Sequence, residues 1–173
     1  MNKLLIIALS LSLLSFGTAK RDNYDTNAKL KALYVYNFTK YIEWPASYKQ
    51  GDFVIGILGD SPLFKELNTM AQTKKAGNQT IQVQKYSAAS SIGRCHMLIL
   101  PPAKGATIGD AVKRIQGNST LVIGEQNGLA TRGAGINFVV LNNKQKFELN
   151  KSNIEKYNLK VSSNLLSLAI LVN

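Results

Sequence analysis

The stretch Phe53-Val54-Ile55-Gly56-Ile57-Leu58 decides the fold of this chain. Its apolar residues follow one another almost without interruption instead of alternating with polar ones, which is typical of a strand buried on both faces. Gly59-Asp60-Ser61-Pro62 then predicts a turn, and a helix follows from Pro62 to about Ala71 with Ser61 as its N-cap. A buried strand that leads directly into a helix indicates an α/β sheet.

The rest of the chain continues this alternation. Further strands are predicted at residues 81–85, 96–100, 120–124, 136–141 and 146–149, the last two as a hairpin around residues 142–143. Further helices are predicted at residues 28–44, 107–116, 152–157 and 162–172, the first of them stopped by Pro45. We therefore predict a single α/β domain whose central, mostly parallel sheet has an antiparallel edge hairpin and helices on both faces.

The first 19 residues predict a signal peptide. Lys3 provides a positive start, residues 4–14 are apolar apart from two serines, and Gly17 and Ala19 are the small residues that precede a cleavage site. A membrane anchor or a buried helix is the alternative, but the run is shorter than the ~20 apolar residues of a bilayer span. We expect residues 1–19 to be removed and residues 20–173 to form one exported domain in the periplasm.

The chain is strongly basic, with 21 Lys and Arg against 10 Asp and Glu and a net charge of +11. Removal of the predicted signal peptide leaves about +10, because Lys3 is its only charged residue. Export and the excess of Lys over Arg argue against nucleic acid as a partner. The excess of positive charge is concentrated between residues 71 and 114, where Asp110 is the one acid. The seven basic residues of this region are Lys74, Lys75, Lys85, Arg94, Lys104, Lys113 and Arg114. We interpret this region as a solvated surface, with a positive face toward a membrane or an acidic partner as the alternative.

Cys95 is the only cysteine, so an intramolecular disulfide is impossible. Its position before an apolar strand favours a small core residue, and a nucleophile or an intermolecular bridge is the alternative. His96, the only histidine, is adjacent in sequence and would point to the opposite face of a strand, which disfavours a Cys–His catalytic pair. One Cys and one His are also too few soft ligands for a zinc site.

Polar residues follow two of the predicted buried strands. Asp60 and Ser61 come after the first, and Glu125 and Gln126 come after the strand at 120–124. Ligands of open α/β sheets bind beyond the carboxyl ends of the strands, so these four side chains are candidates for the rim of a small-molecule pocket. A carboxylate pair of Asp60 and Glu125 could support acid–base catalysis, although surface or capping roles are commoner for such residues. Dinucleotide, P-loop and nucleophile-elbow motifs are missing from the sequence.

Five segments in order resemble the YfiR/HmsC-like family of exported bacterial proteins. They are residues 31–45 (KALYVYNFTKYIEWP), 56–62 (GILGDSP), 95–100 (CHMLIL), 135–138 (GINF) and 161–169 (VSSNLLSLA). The resemblance implies a periplasmic α/β domain that is often dimeric and has no known enzymatic activity. It also implies repression of a membrane-bound diguanylate cyclase through that partner's periplasmic domain, which links envelope conditions to cyclic-di-GMP and biofilm formation. Family members can carry disulfides, and this chain departs from them in lacking a second cysteine.

These observations together predict a non-enzymatic regulator without cofactor or metal. We expect a homodimer that binds the periplasmic domain of a membrane-bound diguanylate cyclase or of a sensor kinase. Tyr41, Trp44 and Tyr48, around the end of the first helix, are the candidate partner-binding residues because an exposed aromatic patch can supply affinity. Core packing is the alternative for Tyr41 and Trp44. The alternative function is a periplasmic small-molecule-binding protein with its pocket at the strand carboxyl ends.

Overall fold

A computed structural model describes residues 21–173 of the chain, with side chains from residue 27 onward. The predicted signal peptide lies outside the described residues. The helices are α1 (Arg21–Tyr41), α2 (Leu63–Ala71), α3 (Ile108–Arg114), α4 (Lys151–Glu155) and α5 (Ser163–Leu168). The strands are β1 (Ile42–Glu43), β2 (Phe53–Leu58), β3 (Lys75–Ala76), β4 (Gln79–Tyr86), β5 (Met97–Leu100), β6 (Leu121–Gly124), β7 (Ile136–Leu141), β8 (Lys144–Leu149), β9 (Lys160–Val161) and β10 (Ile170–Leu171).

Eight of these strands form one sheet in the order β10-β8-β7-β6-β5-β2-β4-β3. Strands β4, β2, β5, β6 and β7 run parallel, whereas β8 and β3 are antiparallel to their neighbours β7 and β4. Strands β1 and β9 form a separate antiparallel pair with Ile42 opposite Val161. The predicted α/β domain with a mostly parallel sheet and an antiparallel edge is therefore confirmed.

The core lies on both faces of the sheet. Helix α1 covers one face, where Phe38 packs against Phe138 and Phe147 with ring centroids 6.1 Å and 5.3 Å apart. Leu58 lies five positions after Phe53 in β2, so the two side chains point to opposite faces of the sheet. Leu58 borders residues of α3 on the second face.

Several boundaries differ from those predicted. Helix α1 is already formed at Arg21, before the predicted start at residue 28, and it ends at Tyr41 because the next two residues pair with β9 instead of continuing the helix to Trp44. The predicted final helix 162–172 is divided into α5 and β10, and β10 extends the sheet at the outer edge of β8. Strand β4 is longer than predicted and is paired on both sides, with β2 and with β3.

The parallel arrangement places five strand ends at one edge of the sheet. Strands β2, β4, β5, β6 and β7 all run in the same direction, so the residues that follow them meet at that edge. The residues that precede β2, β5 and β6 meet at the opposite edge. The candidate residues from the sequence lie at both edges.

Candidate functional site

Trp44 lies at the amino-end edge of the sheet and is buried, with 5% of its surface exposed. Its indole Nε1 donates a hydrogen bond to the carbonyl oxygen of His96 at 3.2 Å. Its ring contacts Phe53 edge to face, with the centroids 5.0 Å apart. The indole therefore has its polar atom satisfied and its apolar surface covered within the protein.

Tyr48 is held by contacts from several elements and is also buried, with 6% exposed. Its hydroxyl accepts a hydrogen bond from the backbone N–H of Ser119 at 3.1 Å and donates to Asn118 Oδ1 at 3.4 Å. The guanidinium of Arg94 lies over its ring, 4.1 Å from the centroid. These contacts fix the 3₁₀ turn that Tyr48 ends to the loop before β6.

His96 connects these two aromatic residues. Its Nδ1 accepts a hydrogen bond from the backbone N–H of Val54 at 3.0 Å, so Nε2 is the protonated nitrogen and donates to the Tyr48 carbonyl at 2.7 Å. The imidazole also stacks on Phe53 with centroids 4.2 Å apart. Burial lowers the pKa of His96, and the hydrogen bond to the Tyr48 carbonyl only partly opposes this. We call Trp44, Tyr48, Phe53 and His96 the aromatic cluster.

The expectation of an exposed aromatic patch does not hold for Trp44 and Tyr48. Their rings fill the space in front of β2 and β5. The indole nitrogen of Trp44 and the hydroxyl of Tyr48 both have hydrogen-bond partners there. Tyr41 is half-buried at the end of α1 and packs against the core. A contact of these three residues with a partner stays a prediction. The exposed residues of this region are Ala46, Ser47, Lys49 and Gln50 in the loop that the cluster supports.

Cys95 belongs to a different environment from His96. It is fully buried, and its burial raises the pKa of the thiol to about 12. Thr120 and Tyr86 are its neighbours, whereas His96 contacts Tyr48 and Phe53. The core interpretation of Cys95 agrees with this burial.

The carboxyl-end edge contains the predicted rim residues. Asp60, Ser61 and Glu125 line one cavity of about 400 Å³ together with Lys31 of α1. We call this the rim cavity. Gln126 does not line it, and its side chain instead lies against Gly105, where a methyl group would collide with it. The structure thus brings three of the four predicted rim residues together.

Each carboxylate of the rim has a lysine partner. Lys31 Nζ lies 2.6 Å from Glu125 Oε1, and the Glu125 side chain is only 5% exposed. Asp60 is exposed and pairs with Lys85 at 2.8 Å. The hydrogen bond and the charge of Lys85 lower the pKa of Asp60, and the charge of Lys104 adds to this. A carboxylate held ionised by a lysine is poorly suited to donate a proton, so this geometry does not favour Asp60 as a general acid.

Among the described residues, no group of three His, Cys, Asp or Glu side chains could hold a metal ion.

Sequence reasoning missed Lys31 as a rim residue, because it comes from a helix distant in sequence and only the packing of α1 brings it to Glu125.

Comparison with known proteins gives one family. The family model described as YfiR/HmsC-like matches residues 28–170, which include both edges of the sheet. No curated protein matches the chain. None of the helices within residues 21–173 has both the length and the apolar character needed to cross a bilayer.

Proposed function

Because the chain belongs to the YfiR/HmsC-like family, we propose that it is an exported regulator that binds the periplasmic domain of a membrane signalling protein. Family membership supports a periplasmic regulatory role in general. The match over residues 28–170 is the observation that carries the proposal, since it covers nearly all of the described domain.

The proposed partner is a membrane-bound diguanylate cyclase, with a sensor kinase as the alternative. Repression requires that the regulator bind the inactive state of its partner more tightly than the active state. Bound in this way, the protein would lower cyclic-di-GMP output and limit biofilm formation. It would act as a binding protein and not as an enzyme, which is in keeping with the lysine-paired carboxylates of the rim.

The proposed contact surface is the loop of residues 45–50 together with Tyr41. The loop is exposed on its outer side, while the buried Trp44 and Tyr48 fix its position from the inside. A preorganised loop loses little conformational entropy on binding, which increases affinity. Trp44 and Tyr48 would thus contribute to binding mainly by shaping the loop.

Binding to the periplasmic domain of a cyclase or kinase encoded beside this gene tests the proposal. We expect Tyr41→Ala to weaken binding at least about tenfold, the loss of one well-packed aromatic contact. The matched control is Tyr36→Ala, which removes another half-buried tyrosine of α1. Equal loss in both variants would reject this surface, and absence of binding by the unmodified protein to either partner class would reject the proposed function.

Export and dimerisation are further parts of the proposal. Mass spectrometry of the periplasmic protein should show a chain that begins at Lys20. Analytical ultracentrifugation should show a homodimer. A periplasmic chain that still carries residues 1–19 would reject the proposed cleavage. A monomer at all concentrations would reject the proposed dimer.

A small-molecule-binding function is the second candidate, favoured by the rim cavity of about 400 Å³ that Asp60, Ser61 and Glu125 line. Pockets of this size accommodate small metabolites. A thermal-shift screen of metabolites tests it, because a bound ligand raises the melting temperature. A hit that Glu125→Gln abolishes would support this function, and a screen without hits would leave the regulator as the better proposal.

A further inference from the structure

A second and larger cavity lies at the carboxyl-end edge, on the other face of the sheet from the rim cavity. It has a volume of about 690 Å³, is open to solvent, and is bordered by Leu58 at the end of β2, the loop of residues 87–90 after β4, and α3. It shares no lining residue with the rim cavity, which α1 borders. We call it the basic cavity.

The basic cavity carries an excess of positive charge. Lys104, Lys113 and Arg114 line it, and Asp110 is the only acid among its lining residues. Within residues 27–173, none of these three cations has a carboxylate within 4 Å, whereas nearby Lys85 is paired with Asp60. The side chains that line the cavity therefore carry a net charge of about +2, and Asp60, whose pKa the charge of Lys104 lowers, lies outside this lining.

Lys104 is built into the wall of this cavity. Gly59 has a φ of +86°, and a Cβ added there would lie 2.8 Å from Cε of Lys104. The lysine stem therefore rests on the glycine backbone and is half-buried. The carbonyl oxygen of Lys104 accepts a hydrogen bond from Thr107 Oγ1 at 2.7 Å, which fixes the turn before α3.

The opposite wall is also ordered and offers a different chemistry. In the loop after β4, Ser91 Oγ donates to the Ala88 carbonyl at 2.8 Å and accepts from the Ala88 N–H at 3.3 Å. This closed turn places the small side chains of Ala88 and Ala89 and the hydroxyls of Ser87 and Ser90 along the cavity. The walls thus combine cations, hydroxyl groups and an apolar surface.

We propose that the basic cavity binds a small organic phosphate. A phosphate monoester is a dianion near neutral pH, and the planar guanidinium of Arg114 and the ammonium groups of Lys104 and Lys113 are the donors that such a group prefers. The organic part would lie against Leu58 and Ala88. This site is independent of partner binding at the loop of residues 45–50, which lies at the other edge of the sheet.

Phenyl phosphate is the probe that tests the proposal, in isothermal titration calorimetry and in amide chemical-shift mapping of the full mature chain. We expect shifts in residues 87–90 and 104–114. Because the phenyl ring adds apolar burial, phenyl phosphate should bind about tenfold more tightly than inorganic phosphate, and phenol should show no binding. Equal affinity for phenyl phosphate and inorganic phosphate would overturn the assignment of an organic phosphate.

Two pairs of substitutions distinguish this site from general attraction to a basic protein. The double variant Lys113→Gln/Arg114→Gln removes two charges of the cavity and should weaken the binding of phenyl phosphate at least about tenfold. The charge-matched control Lys74→Gln/Lys75→Gln removes two exposed charges elsewhere and should change the affinity less than about twofold. Equal weakening by both pairs, or no shifts at the cavity with millimolar probe at low salt, would overturn the proposal. Circular dichroism establishes that both double variants are folded.

Discussion

The two ends of the parallel strands are built in opposite ways. At the amino-end edge, the aromatic cluster fills the space in front of β2 and β5, and its indole and imidazole nitrogens are all hydrogen-bonded. At the carboxyl-end edge, cavities of about 400 Å³ and 690 Å³ stay open, and three cations have no carboxylate partner within the described residues. The amino-end edge is mostly core, with one cavity of about 380 Å³ beside Trp44 and Phe53, whereas the carboxyl-end edge has the larger cavities.

This difference follows from how the chain crosses the sheet. In an open parallel sheet, the loops at the carboxyl ends leave toward helices on opposite faces, and a crevice forms between them. At the amino ends of this protein the loop before β2 folds inward, and the buried side chains of Trp44 and Tyr48 fill most of the space there. Substitutions at the amino end should therefore lower stability, and substitutions at the carboxyl end should affect ligand binding first.

Replacement of Trp44 should have the largest effect. Trp44→Ala removes a buried indole and its hydrogen bond to His96, and we expect the free energy of unfolding to fall by about 3–5 kcal/mol. Urea unfolding followed by circular dichroism measures this loss. The carboxyl-end control is Lys113→Gln, an exposed position where we expect less than about 0.5 kcal/mol. Similar losses in both variants would break the distinction between the two edges.

The Lys31–Glu125 pair is the contact at the carboxyl-end edge whose loss should lower the stability of the protein. Lys31→Met leaves the nearly buried Glu125 carboxylate without its partner, and we expect a loss of about 1–3 kcal/mol at neutral pH. The double variant Lys31→Met/Glu125→Gln should lose less, because no charge is left unpaired. A double-mutant cycle in urea measures the coupling. Additive losses would show that the two side chains do not interact in solution.

The aromatic cluster should also make stability depend on pH. The pKa of His96 is lowered in the folded protein, so folding favours the neutral imidazole. This contribution is fully present above the unfolded pKa of 6.5 and is lost as the pH falls from there through the folded pKa. We expect the urea midpoint to fall between about pH 7 and pH 5, and to fall less in His96→Gln, since His96 is the only histidine. An identical fall of the urea midpoint with pH in His96→Gln would contradict the assignment of this pH dependence to His96.

Loss of the Asp60–Lys85 pair should have the smallest effect. Asp60 is fully exposed, so water and salt screen the attraction that lowers its pKa. We expect the urea midpoint of Asp60→Asn to equal that of the unmodified protein within error, at low and at high salt. A clear loss at low salt that disappears at high salt would show that this exposed pair contributes to the carboxyl-end structure.

Strong local patterns allowed much of the fold to be predicted. Residues 53–58 are β2 as expected from their continuous apolar run, and the hairpin of β7 and β8 turns at Asn142 and Asn143. Both asparagines have positive φ, which asparagine adopts more easily than most residues. The strands of two residues, β1, β3, β9 and β10, were missed because so short a segment has no periodicity to detect.

The candidate sites were harder to predict, for a physical reason. The position of a strand end follows from the sheet, so Asp60, Ser61 and Glu125 could be placed at one edge in advance. Trp44 and Tyr48 lie after the helix, where no period indicates which way a side chain points. The basic cavity depends on the packing of α3 against the loop after β4, and in the sequence its cations were only part of a basic region.

Because Cys95 is buried, its reaction with a thiol-labelling reagent would report local opening of the protein. Only the thiolate reacts with labelling reagents, and a fully buried thiol with a pKa near 12 supplies almost none in the closed state. Each labelling event would therefore record an excursion that exposes the segment before β5. The labelling rate, followed against pH or added phosphate, would measure how often the centre of the sheet opens, and no probe would have to be introduced.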